Sequence, residues 1–154
     1  MKVKNIKTYG KEADLSMRVW IQLLRSYNKI RTKEQKYIQS FGLTMMQFQV
    51  LEVLYHRGDL NIGAITNLAM STPGNITVVL RNLKKEGYIN AIEDIKDKRV
   101  SILSISEKGK EIIEELFPNH AKNLEEYFSI FTNDEKETMF SLLRKLQKSN
   151  WAFF

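Results

Sequence analysis

Apolar residues recur at helical spacing along most of the chain, and only one stretch falls into a period of two. From about Ala13 to Gln39, Trp20, Leu23, Leu24, Tyr27, Ile30 and Tyr37 gather on one side of a helix. Arg18, Arg25, Lys29, Lys33 and Lys36 form a stripe on the other side at about 100° per residue, and Ser40-Phe41-Gly42 ends the element. A second helix starts at Thr44-Met45-Met46-Gln47, a capping box, with Leu43 and Phe48 placed for a hydrophobic staple. Val50, Leu51 and Leu54 carry it to Gly58. A short third helix follows Asn61 as cap and is expected to bury Ile62, Ile65 and Leu68.

The fourth helix has the clearest signature. Ser71-Thr72-Pro73 reads as a cap followed by proline at the first helical position, where a missing N–H costs nothing. Ile76, Val79, Leu80 and Leu83 recur at i, i+3, i+4 and i+7 as an inward stripe, and Gly87 closes the helix. Tyr88–Ile92 and Val100–Ile105 then read as two strands around a charged tip, Glu93–Arg99, which makes a hairpin. Ser106 caps a long helix through Ile112, Ile113, Leu116, Phe117, Leu124, Tyr127 and Phe128, with a kink or restart expected at Pro118. Thr132-Asn133-Asp134-Glu135 opens a last helix with Met139, Leu142, Leu143 and Leu146 inward. An apolar tail, Trp151-Ala152-Phe153-Phe154, follows.

Composition narrows what such a chain does. Its 154 residues suit one domain with a real core, and 43% hydrophobic against 27% charged residues exclude a disordered chain. No apolar run approaches the roughly 18 residues of a membrane span, and MKVKNIKTYG lacks the apolar stretch of a secretory signal, so a cytoplasmic protein without membrane partners is expected. Cysteine is absent, which removes disulfides and thiol chemistry, and two histidines (His56 and His120) are too few for a His/Cys zinc site; no metal or cofactor is expected. There is no glycine-rich phosphate loop and no Ser/His/Asp order, and the carboxylates sit on helix faces beside lysines, so an enzyme is not expected. The net charge of +6 favours a polyanion, but ten Lys/Arg against three Asp/Glu fall within residues 1–40, whereas residues 60–109 hold seven against five.

Helix, short helix, helix and hairpin over residues 44–109 is the order of a winged helix-turn-helix. The predicted fold is mainly α with a small β-hairpin wing. A groove-reading helix must be slim where it enters, which Pro73, Gly74 and Asn75 provide, and its first outward side chains meet base edges. Thr72 caps that helix at the DNA side. Asn75 suits adenine, Thr77 a base or phosphate, and the Val78 methyls a thymine methyl. Arg81, Asn82 and Lys85 follow toward the phosphates. Lys96, Lys98 and Arg99 at the hairpin tip suit a minor groove, with Asp97 placed to orient Arg99. The rival reading is a winged-helix module that docks proteins and binds no DNA.

Ser71-Thr72-Pro73-Gly74-Asn75-Ile76-Thr77, Asn82 through Ile89, Asp97-Lys98-Arg99 and Leu103 through Gly109 together resemble the MarR family of bacterial transcriptional regulators. The likeness spans essentially the whole chain, with Ser in place of the usual Thr at 106, Val78 where many relatives have a basic residue and Arg81 where they have an acidic one. The resemblance implies one MarR-like domain over 1–154, with dimerisation helices in 1–42 and 107–154 flanking a DNA-binding part at 43–106. It implies a homodimer on a pseudo-palindromic duplex, acting as a repressor released by a small aromatic or phenolic ligand. By the same resemblance Trp20, Tyr27, Met46, Tyr55 and Phe117 line the ligand pocket, although aromatics and Met at helical spacing equally suit a core. The apolar tail independently suits a dimer, and the missing cysteine rules out the thiol-based peroxide sensors of that family.

Overall fold

The structure, a computed structural model, describes residues 7–93 and 101–149. Among the described residues, six helices and three strands follow in the order α1 (Lys11–Gln39), α2 (Met45–Arg57), β1 (Leu60–Asn61), α3 (Ile62–Leu68), α4 (Pro73–Lys85), β2 (Ile89–Glu93), β3 (Ser101–Ile105), α5 (Glu107–Phe128) and α6 (Asn133–Lys148). The chain divides into two compact units, residues 1–115 and 116–154.

Local chemistry explains most boundaries in the first unit. Thr44 accepts the Gln47 amide at 3.2 Å while the Gln47 side chain accepts the Thr44 N–H at 2.8 Å, the expected capping box. Asn61 accepts the Ala64 N–H at 2.8 Å and so starts α3, yet it also belongs to a strand. Leu60 and Asn61 pair with Leu103 and Ile102, so the hairpin becomes a three-stranded antiparallel sheet in the order β1-β3-β2. A two-residue strand carries no readable period, which is why the third strand escapes sequence reading. Leu103, flanked by Leu60 and Ala91, is the buried residue of the central strand.

The core of this unit gathers Ile38 of α1, Phe48, Val50, Leu51 and Leu54 of α2, Ile65 of α3, the stripe Ile76, Val79, Leu80 and Leu83 of α4, and Ile89 and Leu103 of the sheet. Two expectations are corrected. In α3 only Ile65 of the expected trio is buried, whereas Ile62 and Leu68 are exposed, because a two-turn helix lays its middle, Ile65 and Thr66, against the core and turns its ends outward. Along α1 the basic stripe is exposed as expected, but Trp20 (58% exposed), Leu24 and Tyr27 are uncovered as well. Only the last turns of α1 are buried, at Glu34 and Ile38.

In α5 the helix passes through Pro118 without ending. The ring removes one backbone hydrogen bond, and with both Pro118 and Glu114 exposed, water can serve the carbonyl left without a donor. Within the second unit, Thr132 accepts the Glu135 amide at 3.3 Å and Glu135 answers at 2.8 Å, which opens α6 as expected. Leu124, Phe128, Met139, Phe140 and Leu143 line a cavity of about 490 Å³ with Glu125 and Lys136. The expected inward face of α6 is not buried in the single chain: Met139 is half-buried, Leu142 is 61% exposed, and Leu143 and Leu146 are exposed too, as is their neighbour Phe140. No described helix is long and apolar enough to cross a membrane.

Candidate nucleic-acid interface

The outward side of α4 is built from its N-terminal cap. Thr72 has extended backbone and accepts the Asn75 N–H at 3.4 Å, and Pro73 takes the first helical position. With Ile76, Val79, Leu80 and Leu83 facing the core, Thr72, Pro73, Gly74, Asn75, Thr77, Val78, Arg81, Asn82 and Lys85 are all exposed, as the sequence predicts. A Cβ on Gly74 would meet nothing within 4 Å among the described residues, so no packing among them requires glycine there.

The polar groups at this end are already oriented. Asn75 Nδ2 donates to Ser71 Oγ at 3.1 Å. An amide has one acceptor oxygen and two N–H groups; with one N–H engaged, a donor and an acceptor remain, which is the pair that adenine N7 and its amino group require. Ser71 is a positioning group that sequence reading missed, because a hydrogen bond back across the cap leaves no periodic trace. Thr77 donates its hydroxyl to Pro73 O at 2.9 Å, which leaves its oxygen as an acceptor and its methyl as apolar surface. Arg81 and Lys85 lie one turn apart, at the i, i+4 spacing that shares a helix face.

The far end of α4 is fastened to two other helices. Gln47 is buried and, while its oxygen completes the cap of α2, its Nε2 donates to Glu86 Oε2 at 3.2 Å. From the start of α5, Lys108 Nζ donates to Glu86 O at 2.8 Å, Ser106 Oγ to Gly87 O at 2.7 Å and the Ser106 N–H to Tyr88 O at 3.0 Å. Lys108 also lies 4.3 Å from the centre of the Tyr88 ring, a cation–π contact. Ser106 still caps its own helix by accepting the Gly109 N–H at 3.1 Å. A Cβ on Gly109 would stand 2.3 Å from Tyr88 O and 2.7 Å from Ile105 Cγ1, so the first turn of α5 touches the exit of α4 with no room for a methyl. The bonds between elements join residues from 18 to 39 positions apart, out of reach of any local pattern.

Lys96, Asp97, Lys98 and Arg99, the expected tip of the hairpin, lie outside the described residues, as do Trp151, Phe153 and Phe154. The residues expected at a ligand pocket are distributed as follows. Trp20 and Tyr27 are exposed on α1, and Arg31 lies 5.9 Å from the Tyr27 ring centre. Met46 is half-buried on α2. Tyr55 is exposed and donates to Glu114 Oε1 at 3.1 Å, and that hydrogen bond holds its phenol above the ordinary tyrosine range. Phe117 belongs to the second unit, where its ring lies 5.6 Å from that of His120. None of these five lines the cavity on α5 and α6.

Comparison with known proteins agrees with this geometry. A family model described as the transcriptional regulator SarA/Rot matches residues 32–116. The HTH-type transcriptional regulator MhqR of Bacillus subtilis (strain 168) is 31% identical over 131 residues, 85% of this chain and 90% of its own. Among solved structures, Sco3205, a MarR family transcriptional regulator from Streptomyces coelicolor in complex with DNA, matches at a TM-score of 0.82 and 17% identity, over 94% of this chain and 92% of that one. Bordetella bronchiseptica BpsR, whose DNA binding is regulated by 6-hydroxynicotinic acid, matches at 0.77 and 23%, over 85% and 99%. The two solved structures speak for the fold, and the family model and the sequence relative speak for descent. The chain belongs to the SarA/Rot family of transcriptional regulators, and its fold is that of the MarR family structures.

Proposed function

We propose that this protein is a homodimeric, sequence-specific repressor that inserts α4 into the major groove of a pseudo-palindromic operator. One observation carries the reading. The outward side of α4 is slim and uncharged at its capped N-terminus and basic about two to three turns later, the order in which a helix entering a groove meets bases and then phosphates. Asn75, Thr77 and Val78 face the bases, while Thr72, Pro73 and Gly74 let the helix end approach. Arg81, Asn82 and Lys85 take the backbone. Lys96, Lys98 and Arg99, with Asp97 orienting Arg99, extend the interface from the wing.

Dimerisation accounts for what a single chain leaves uncovered. Trp20, Leu24 and Tyr27 on α1 and Phe140, Leu142, Leu143 and Leu146 on α6 are two runs of exposed apolar surface of the kind a monomer rarely keeps. A second copy covering them sets two α4 helices one duplex turn apart, about 34 Å. An aromatic acid is the effector class, by likeness to the regulation of BpsR by 6-hydroxynicotinic acid. Such a protein works in the cytoplasm, on chromosomal DNA.

The test is fluorescence anisotropy with duplexes selected from genomic fragments that the purified protein retains, repeated with aromatic carboxylates and phenols. Wild type binds with log K falling by about 0.9 per phosphate neutralised as log salt rises, and sediments as a dimer. Arg99→Ala weakens every duplex, whereas Asn75→Ala loses about 1–3 kcal/mol of discrimination at one base pair of each half-site and little non-specific affinity. A protein-docking module gives no salt-dependent duplex binding, and wild-type affinity in Arg99→Ala removes the wing from the interface.

A further inference from the structure

Two helices of the reading head end with the same backbone device and with different residues. At the exit of α4 the Gly87 N–H reaches Lys84 O at 3.1 Å and the Tyr88 N–H reaches Leu83 O at 2.9 Å, with Gly87 at φ 78°. At the exit of α3 the Met70 N–H reaches Asn67 O at 3.2 Å and the Ser71 N–H reaches Thr66 O at 3.0 Å, with Met70 at φ 50°. Both are Schellman closures, whose left-handed position is glycine's in most helices. Met70 is the sole non-glycine residue at positive φ among the described residues. A side chain in that conformation carries a strain that glycine avoids. Burial does not offset it, because Met70 is 80% exposed, the most exposed large apolar side chain among the described residues.

What the methionine contributes therefore lies outside the fold. Its position supplies the partner. Met70 stands two residues before Thr72, the cap of α4, and adjoins Ser71, whose hydroxyl holds the Asn75 amide. We infer that Met70 is a DNA-contacting residue, resting its thioether chain on the deoxyribose carbons and thymine methyls that wall the major groove beside the base pair read by Asn75. This inference rests on the reading of α4 as the groove helix. An unbranched, polarizable side chain adapts to such an irregular apolar wall, and an uncharged one neutralises no phosphate. Its contribution is thus affinity without salt dependence, unlike that of Arg81 or Lys85.

Three variants test it on the selected operator duplex. Met70→Gly and Met70→Asn both suit the left-handed position and remove the apolar chain, so both melt no lower than wild type. Each binds the operator about tenfold more weakly, the loss expected when one apolar side chain no longer leaves water. The slope of log K against log salt stays that of wild type. Met70→Leu keeps the apolar surface and binds within about threefold. Replacing thymine by uracil separates the two walls: wild type loses affinity if methyls make the contact and keeps it if sugars do. Gly and Asn variants that bind within twofold of wild type, while Asn75→Ala loses its preference, overturn the inference and leave the α4 reading intact. A loss that comes with a lowered melting temperature or an altered salt slope overturns it too. If neither the Met70 variants nor Asn75→Ala changes binding, the α4 reading falls and takes this inference with it.

Discussion

Replacing Gly109 by alanine lowers the melting temperature by about 6–12 °C, the equivalent of about 3 kcal/mol in a domain of this size. The added methyl has nowhere to go. It meets Tyr88 O at 2.3 Å, and a carbonyl in a chain reversal cannot swing aside as the end of a long side chain can. The first turn of α5 must retreat instead, and the retreat strains the bonds from Ser106 and Lys108 to the carbonyls of residues 86–88. Thermal unfolding followed by circular dichroism measures the effect. An unchanged transition would mean that the packing between α5 and the exit of α4 is loose. Gly74→Ala is the matching control. Its methyl meets no atom of the described residues within 4 Å, and alanine suits a helix better than glycine by up to about 1 kcal/mol, so stability holds or rises. With α4 in the groove as proposed, what Gly74→Ala loses is DNA affinity, because the methyl stands where the groove would come close.

The largest effect on binding is expected from Arg81→Ala combined with Lys85→Ala. Both side chains are exposed and lie one turn apart beyond Asn75, Thr77 and Val78, so their removal leaves the core stripe of α4 untouched. With two phosphates per protomer no longer neutralised, the salt slope of the dimer falls by about 3.6, about 1.8 from each protomer, and at 0.1 M salt each protomer's share corresponds to a roughly sixtyfold weaker association. The loss falls equally on operator and unrelated duplexes, because phosphates carry no sequence. A titration at several salt concentrations separates this from damage to base reading. An unchanged slope would show that Arg81 and Lys85 face away from the duplex.

The same contrast between local and distant causes divides what was legible in the sequence from what was not. The six helices were legible because caps and periods are local: Thr44 with Gln47, Thr132 with Glu135 and the stripe Ile76, Val79, Leu80 and Leu83 all lie within a few residues of one another. The outward side of α4 was legible for the same reason, since naming the buried side of a helix names the other one. The inward face assigned to α6 and the covered side assigned to α1 were not correct for the single chain. Amphipathicity tells that a face avoids water, but not whether this chain or a second copy covers it.

The sequence by itself therefore determined the six described helices, the wing-like order and the residues that α4 presents, because each follows from a hydrogen bond or a period spanning a turn or two. Only the tertiary structure decided that β1 completes the sheet, that Gln47, Ser106 and Lys108 hold the exit of α4, that Gly109 leaves no clearance there, and that Met70 occupies a glycine's conformation in the open. Each of these depends on atoms brought together across the chain or on the sign of one dihedral angle, and neither is written in the spacing of apolar residues.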